Sequence, residues 1–244
     1  MTGQQVKNLE ESAQIENLAV VVPAYNAGTL LLGVLNNVCP MVKRVIVVDD
    51  GSTDGCVDAV AHLPVAIVRH NRNRGKGAAL VTGYAEALKD SDVTCVAVLD
   101  ADGQHNPAEL PGLVDVFRKN QADFLIGARA FTRKDVPFRS WFGNRVTIFV
   151  SGVLLGKRLP DTQSGFRIVS RRFLEAELPT IRPGRYETEM AMLGKALRGD
   201  YVVFSEPIQT IYEEGNPSSH FNVVRDSFLI YKTLAGLALK RIFG

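Results

Sequence analysis

Residues Val96–Pro107 read VAVLDADGQHNP, an apolar run that ends in two aspartates one residue apart, Asp100 and Asp102. Val, Ala and Leu closed by turn residues make the pattern of a buried parallel strand, which places both carboxylates where that strand leaves its sheet. Open α/β sheets bind ligands at that edge. Two acids held so close repel each other unless a positive charge lies between them, and a divalent cation carrying a diphosphate meets that need. Asp-Ala-Asp-Gly is also an ordinary turn sequence, so the pair gains its meaning from the rest of the chain.

Strand and helix signals alternate from Leu18 to about Ala130, the signature of a mostly parallel sheet with helices on both faces. Strands are expected at Leu18–Pro23, Arg44–Val48, Val65–Arg69, from Val96, and at Asp123–Gly127. Between them the spacing predicts helices at Thr29–Val38, Asp54–His62 (short), Gly75–Leu88 and Pro107–Lys119, the last opening on a proline at a position that tolerates it. Beyond Ala130 the pattern becomes irregular, and Arg129, Arg133, Lys134, Arg139 and Arg145 form a basic stretch suited to a negatively charged partner.

The chain has 244 residues, 46% of them hydrophobic, enough for one large core with an appendage. A net charge of +2 gives no field that would attract nucleic acid, and the basic residues lack interleaved stacking aromatics. Cys39, Cys56 and Cys95 have no metal-type spacing and are expected to be reduced thiols of a cytoplasmic protein. Residues 1–17 lack a secretory pattern and are expected to be a flexible polar tail. Trp141–Gly156 and Phe221–Gly244 are amphipathic, the second basic, and both suit a helix lying on a membrane face or packed on the sheet. The expected organisation is a tail over 1–17, one domain over 18–220 and a C-terminal basic amphipathic helix over 221–244.

Three further motifs fall at the same predicted sheet edge. VVPAYNAG (Val21–Gly28) offers Pro23, Tyr25 and Asn26 as a surface for a nucleobase, with Asn26 or Thr29 equally suited to cap the next helix. VIVVDDGSTDG (Val45–Gly55) supplies Asp50 as an acceptor for a base or ribose hydroxyl beside Gly51, and Asp54 as a helix cap. HNRNRGKGAAL (His70–Leu80) combines Arg74 and Lys76 with glycines before a helix start, a combination that can hold an anion. No G-x-G-x-x-G follows the first strand, which excludes a dinucleotide fingerprint.

In this order, VVPAYN, VVDDGSTDG, NRGKGAAL and DADGQHNP resemble the inverting family 2 glycosyltransferases of the GT-A fold. LPDTQSGFRIVS (Leu159–Ser170) is similar to the element of the dolichyl-phosphate mannose synthase and glucosyltransferase branch. The resemblance implies transfer of a hexose from a GDP- or UDP-linked donor to a polyprenyl phosphate or related lipid, peripherally at the cytoplasmic membrane face. Asp100 and Asp102 would hold Mg²⁺ or Mn²⁺, with Gln163 as a third ligand or sugar contact and His220 as a further metal or phosphate ligand. Pro23, Tyr25, Asn26, Asp50, Gly51, Arg74, Lys76 and Ala101 would complete the donor site with the two aspartates. Arg129 and Arg139 match the region that grips the acceptor phosphate, for which guanidinium forks are suited. A phosphate acceptor is already a nucleophile; a hydroxyl acceptor, the alternative, needs a base from Asp161, Glu187 or Glu189. A second alternative is a non-catalytic nucleotide-binding protein of the same fold.

Overall fold

The structure is a computed structural model that describes residues 14–129 and 160–209, together with helical residues 152, 226, 228–230, 232, 233 and 236. Seven strands form one sheet: β1 (Ile15–Ala24), β2 (Val42–Asp49), β3 (Val65–Arg69), β4 (Cys95–Val98), β5 (Phe124–Arg129), β6 (Arg167–Ser170) and β7 (Val203–Ile208). Their order is β3-β2-β1-β4-β6-β5-β7, and every pairing is parallel except those of β6 with β4 and β5. The α-helices are α1 (Leu30–Val38), α2 (Lys76–Ala87), α3 (Leu110–Lys119), α4 (Arg171–Glu177) and α5 (Glu187–Arg198).

The alternation of side chains along a strand divides the core into two layers. Leu18, Val20 and Val22 of β1 pack with α1 and with Leu110, Leu113, Val114 and Phe117 of α3, which recur at helical spacing. Ala19 and Val21 face the opposite layer, built with Ala79, Leu80 and Tyr84 of α2, Phe173 and Leu174 of α4, and Met190 and Leu193 of α5. Both faces of β1, β2 and β4 are therefore buried, which explains why they read as unbroken apolar runs.

Several expectations shift. Residues 15–17, assigned to the tail, begin β1: Ile15 donates to the Met41 carbonyl and pairs with Val42. The short helix expected from Asp54 is a single 3-10 turn, Asp58–Val60. Asn106 caps the helix that opens at Pro107, accepting from the Ala108 amide. Strand β6 was not expected, because Arg167 interrupts its apolar run. In the C-terminal segment, Asp226 and Ile230 are buried, whereas Phe228 and Lys232 are exposed. Among the described residues no helix is long and apolar enough to cross a membrane. Cys56 and Cys95 are buried free thiols whose acidity burial pushes down, which leaves them unreactive.

The far edge of the sheet is tied by Asp123. Its buried carboxylate accepts from the Val202 amide (3.0 Å), Ser170 Oγ (2.8 Å) and Arg172 Nε (3.0 Å), joining the starts of β5, β7 and α4. Burial alone would raise the Asp123 pKa, but Arg172, the Val202 amide and Ser170 outweigh it and hold it below the ordinary carboxylate range. Asp123→Ala strands a backbone amide and a hydroxyl and is expected to cost about 2–3 kcal/mol, read by urea denaturation. Because the folded pKa is depressed, this stabilisation is complete above roughly pH 4 and is lost as pH falls through the folded value. A variant whose midpoint matches wild type at pH 7 contradicts this assignment.

Candidate active site

The register gathers the motifs at one edge. Ala24 pairs with Asp49 and Val21 with Val98, so the loops after β1, β2 and β4 leave the sheet side by side. Antiparallel β6 enters where its parallel neighbours exit, because Arg167 pairs with both Val98 and Ile126. The DTQSGF element just before Arg167 is thereby delivered to the aspartate pair, and Arg129 arrives there at the end of β5.

The loops after β1 and β2 are laced together. Asn26, in the left-handed region at φ 48°, accepts from the Thr53 amide (2.8 Å) and donates its own amide to Ser52 Oγ (3.1 Å). Asp54 accepts from the Gly28 and Cys56 amides, and Thr29 makes no side-chain cap, so the capping roles expected for Asp54, Asn26 and Thr29 are replaced by a loop-to-loop clasp. Pro23, Tyr25 and Asn26 are half-buried beside it. Gly51, at φ 80°, allows the backbone of Arg72 and Asn73 to lie across it; a Cβ there would come within 2.6 Å of the Arg72 carbonyl carbon.

Asp50 is buried and already anchored. It accepts from the amides of Arg74 (2.9 Å) and Gly75 (2.7 Å) and lies 2.7 Å from His70 Nδ1. In the loop before α2, where the sequence leads one to expect an anion, these two amides hold the chain's own Asp50 carboxylate. The Arg74 side chain remains exposed.

Asp100 is engaged by Lys76, whose Nζ lies 2.8 Å from Oδ1 and 3.0 Å from Oδ2. Burial works to raise the Asp100 pKa, and Lys76 overcomes it, leaving the carboxyl ionised. The pKa of Asp102, beside the buried Ala101, is pushed up to about 6, first by burial and then by the charge of Asp100. Its oxygen accepts from the Gln104 amide (3.0 Å). His105 is buried against Phe166, with Nε2 4.0 Å from Asp100; burial pulls its pKa down to about 4 despite that aspartate, so the ring is neutral. Gly165 has no side chain because Asp100 occupies the space: a Cβ would fall 2.0 Å from Oδ2.

Arg129 is held by Asp161, which is fully buried; Nε lies 2.7 Å and Nη2 3.3 Å from its two oxygens. Asp161 also accepts from the amide of half-buried Gln163 (2.9 Å). Glu189 is buried between Lys76 (3.3 Å) and Arg167 (3.8 Å). Arg167 itself donates to the carbonyls of Ser164, Glu189 and Thr162 at 2.8–3.0 Å, pinning the DTQSGF loop to α5. Glu187 lies against Gly184, where a Cβ would meet its Oε1 at 2.3 Å. Arg139, His220 and residues 141–156 apart from Gly152 lie outside the described residues.

His105, Arg167 and Tyr186 escaped the sequence reading. His105 stands three residues after Asp102 and could have been weighed there. Arg167 and Tyr186 act across the fold, with Lys76 Nζ 5.8 Å from the Tyr186 ring, and carry no local signal.

Among the described residues no set of three His, Cys, Asp or Glu side chains forms a metal cage. Mg²⁺ and Mn²⁺ do not need one, since one or two carboxylates plus substrate phosphates satisfy such sites. Asp100 and Asp102 stand two positions apart just past the end of β4, and the charge of Asp102 is disfavoured by burial and by Asp100, so the pair offers carboxylate oxygens that a divalent ion would fit.

Residues 19–178 match the glycosyl transferase family 2 model. The chain is 27% identical to the UDP-N-acetylglucosamine–dolichyl-phosphate N-acetylglucosaminyltransferase of Methanococcus voltae, over 88% of this chain and 94% of that protein. Its identity to the polyprenol monophosphomannose synthase of Mycolicibacterium smegmatis is 29%, over 78% and 75% of the two chains. The fold matches that of glucosyl-3-phosphoglycerate synthase from Mycobacterium tuberculosis, solved with Mn²⁺, UDP-glucose and phosphoglyceric acid. That match has a TM-score of 0.68 at 20% identity and covers 98% of this chain and 85% of that one. With a family match over most of the sheet and its aspartate pair at the ligand-binding edge, the chain belongs to glycosyl transferase family 2 and is a glycosyltransferase.

Proposed function

We propose that the enzyme transfers a hexose, with inversion, from a GDP- or UDP-linked donor to a polyprenyl phosphate or related lipid phosphate. The observation that carries this reading is the disposition of the acids: Asp161 is bound to Arg129, and Glu189 lies between Lys76 and Arg167. Both are committed to cations in the interior, which suits an acceptor that brings its own charge and needs positioning more than deprotonation. Arg129 is poised on Asp161 to orient such a phosphate, with Arg139 as its partner in that role. The named relatives act on dolichyl phosphate or polyprenol, in keeping with this acceptor class.

On the donor side, Pro23, Tyr25, Asn26, Asp50 and Gly51 face the nucleoside, and Arg74 and Lys76 the diphosphate. Asp100 and Asp102 hold Mg²⁺ or Mn²⁺, with Gln163 and His220 as further contacts. Bound there, the ion stabilises the departing diphosphate as a Lewis acid. Peripheral attachment at the cytoplasmic membrane face is supported by the C-terminal segment, where Asp226 and Ile230 turn inward and Phe228 is 66% exposed beside Lys232.

A panel of GDP- and UDP-hexoses with Mn²⁺ and a short polyprenyl phosphate tests the reading. The expected product is a lipid-linked hexose of inverted anomeric configuration, with a chelator lowering the rate by about 100-fold or more. Donor binding with no lipid product from any donor would transfer the assignment to a hydroxyl acceptor.

A further inference from the structure

Lys76 competes for the Asp100 carboxylate that a divalent ion would need. Its ammonium spans both oxygens of Asp100, at 2.8 and 3.0 Å, so an ion binding Asp100 must take an oxygen that Lys76 holds and must sit beside a like charge. The contact to Oδ1 is poorly aligned, since that atom is buried and makes no hydrogen bond. On the other side of the ammonium, Glu189 Oε2 lies 3.3 Å away, and Glu189 Oε1 is buried without a hydrogen bond, which leaves it acceptor capacity. The Tyr186 ring, 5.8 Å from Nζ, offers a second favourable surface for a cation.

The backbones on this side are held firmly. Gly77 lies so close to α5 that a Cβ would fall 2.2 Å from Thr188 Oγ1, and the Ala78 amide donates to the Gly184 carbonyl (2.9 Å). The starts of α2 and α5 are thus fixed face to face, and Lys76 can exchange one carboxylate for the other by side-chain motion alone.

We propose that Lys76 is a resident counter-ion of Asp100 in the metal-free enzyme and passes to Glu189 when a divalent ion takes Asp100. Glu189 is then a positioning residue that acts through Lys76, and it contacts neither metal nor substrate. This rests on the reading that Asp100 and Asp102 hold the ion. The exchange gives up the Lys76–Asp100 ion pair as the ion arrives and leaves the ammonium paired with Glu189, whose Oε2 already lies 3.3 Å from it.

The test is the affinity for Mn²⁺ alone, without nucleotide, measured from the EPR signal of the free ion. K76M is expected to bind Mn²⁺ about tenfold more tightly than wild type, and E189Q about tenfold more weakly, each within the usual range of coupling between sites. In the K76M background, E189Q should change affinity by less than about twofold, because Glu189 has nothing left to receive. Equal or weaker Mn²⁺ binding by K76M overturns the proposal, as does an E189Q effect of the same size in both backgrounds. If wild type binds no Mn²⁺, the metal reading and this proposal fall together; if it binds and K76M does not tighten, this proposal falls alone. Should K76M not fold, Mg²⁺ titration of ¹⁵N-lysine-labelled wild type reads the same event. The Lys76 ammonium resonance should shift with the midpoint of metal binding, and a resonance unmoved at saturation overturns the exchange.

Discussion

Asp102→Asn is expected to lower kcat/KM for sugar transfer by about 10³-fold, the scale on which removing one electrostatic contact to a developing charge is felt, while leaving the melting temperature unchanged or raised. The two effects have one cause. Asp102 contributes little to the fold, accepting a local hydrogen bond from the Gln104 amide, and its charge is opposed by burial and by Asp100. Neutralising it relieves a repulsion that the metal-free protein must bear, and such local cost at a working site is the common trade of stability for activity. Calorimetry in chelator and a transfer assay at saturating Mn²⁺ check the two halves. Activity within tenfold of wild type would remove Asp102 from the reaction, and a clear fall in melting temperature would make it a structural residue.

The second large effect is expected from a single methyl group. Gly165→Ala puts a carbon 2.0 Å from Asp100 Oδ2, and the nearby atoms leave it no room, since the carboxyl carbon is itself 2.5 Å from the same point. Interiors as densely packed as this do not absorb such an overlap, so the Asp100 carboxylate must shift from its place. A displacement of about 1 Å at a metal-binding carboxylate is worth roughly 100-fold in turnover. The expected result is a loss of that size, with weaker Mn²⁺ binding and an unchanged far-ultraviolet circular dichroism spectrum. A variant that keeps wild-type Mn²⁺ affinity would show that the loop before β6 does not shape Asp100.

The parallel half of the sheet was legible because its physics is local. Strands β1, β2 and β4 are buried on both faces, so each reads as a run of apolar residues rich in Val, and each ends abruptly in the polar residues that form the site. Strand β6 was not legible because Arg167 is buried with its guanidinium satisfied by carbonyls of the loop just before it and, 22 residues on, by that of Glu189 in α5. Position along the chain gives no hint of that. The same holds for Asp50 and Asp161. Their residue types suggest a nucleoside contact and a base, and what the sequence does not give is their partners in the fold, the Arg74 and Gly75 amides and the Arg129 guanidinium, 24 to 32 residues away. A carboxylate read from sequence shows its charge but not its counter-ion, and here the counter-ion determines what the group can do.

The reversed direction of β6 brings together the two ends of a long excursion of the chain. Because β5 exits and β6 enters at neighbouring points of one edge, with Ile126 opposite Arg167, the chain between Arg129 and Pro160 departs from and returns to nearly the same place, as in a hairpin. Closing such an excursion costs little more when it is lengthened, about 0.6 kcal/mol per doubling of its length. By that argument a change in its length leaves in place the pairing of β5 with β6 and the ion pair of Arg129 with Asp161 that joins its two ends.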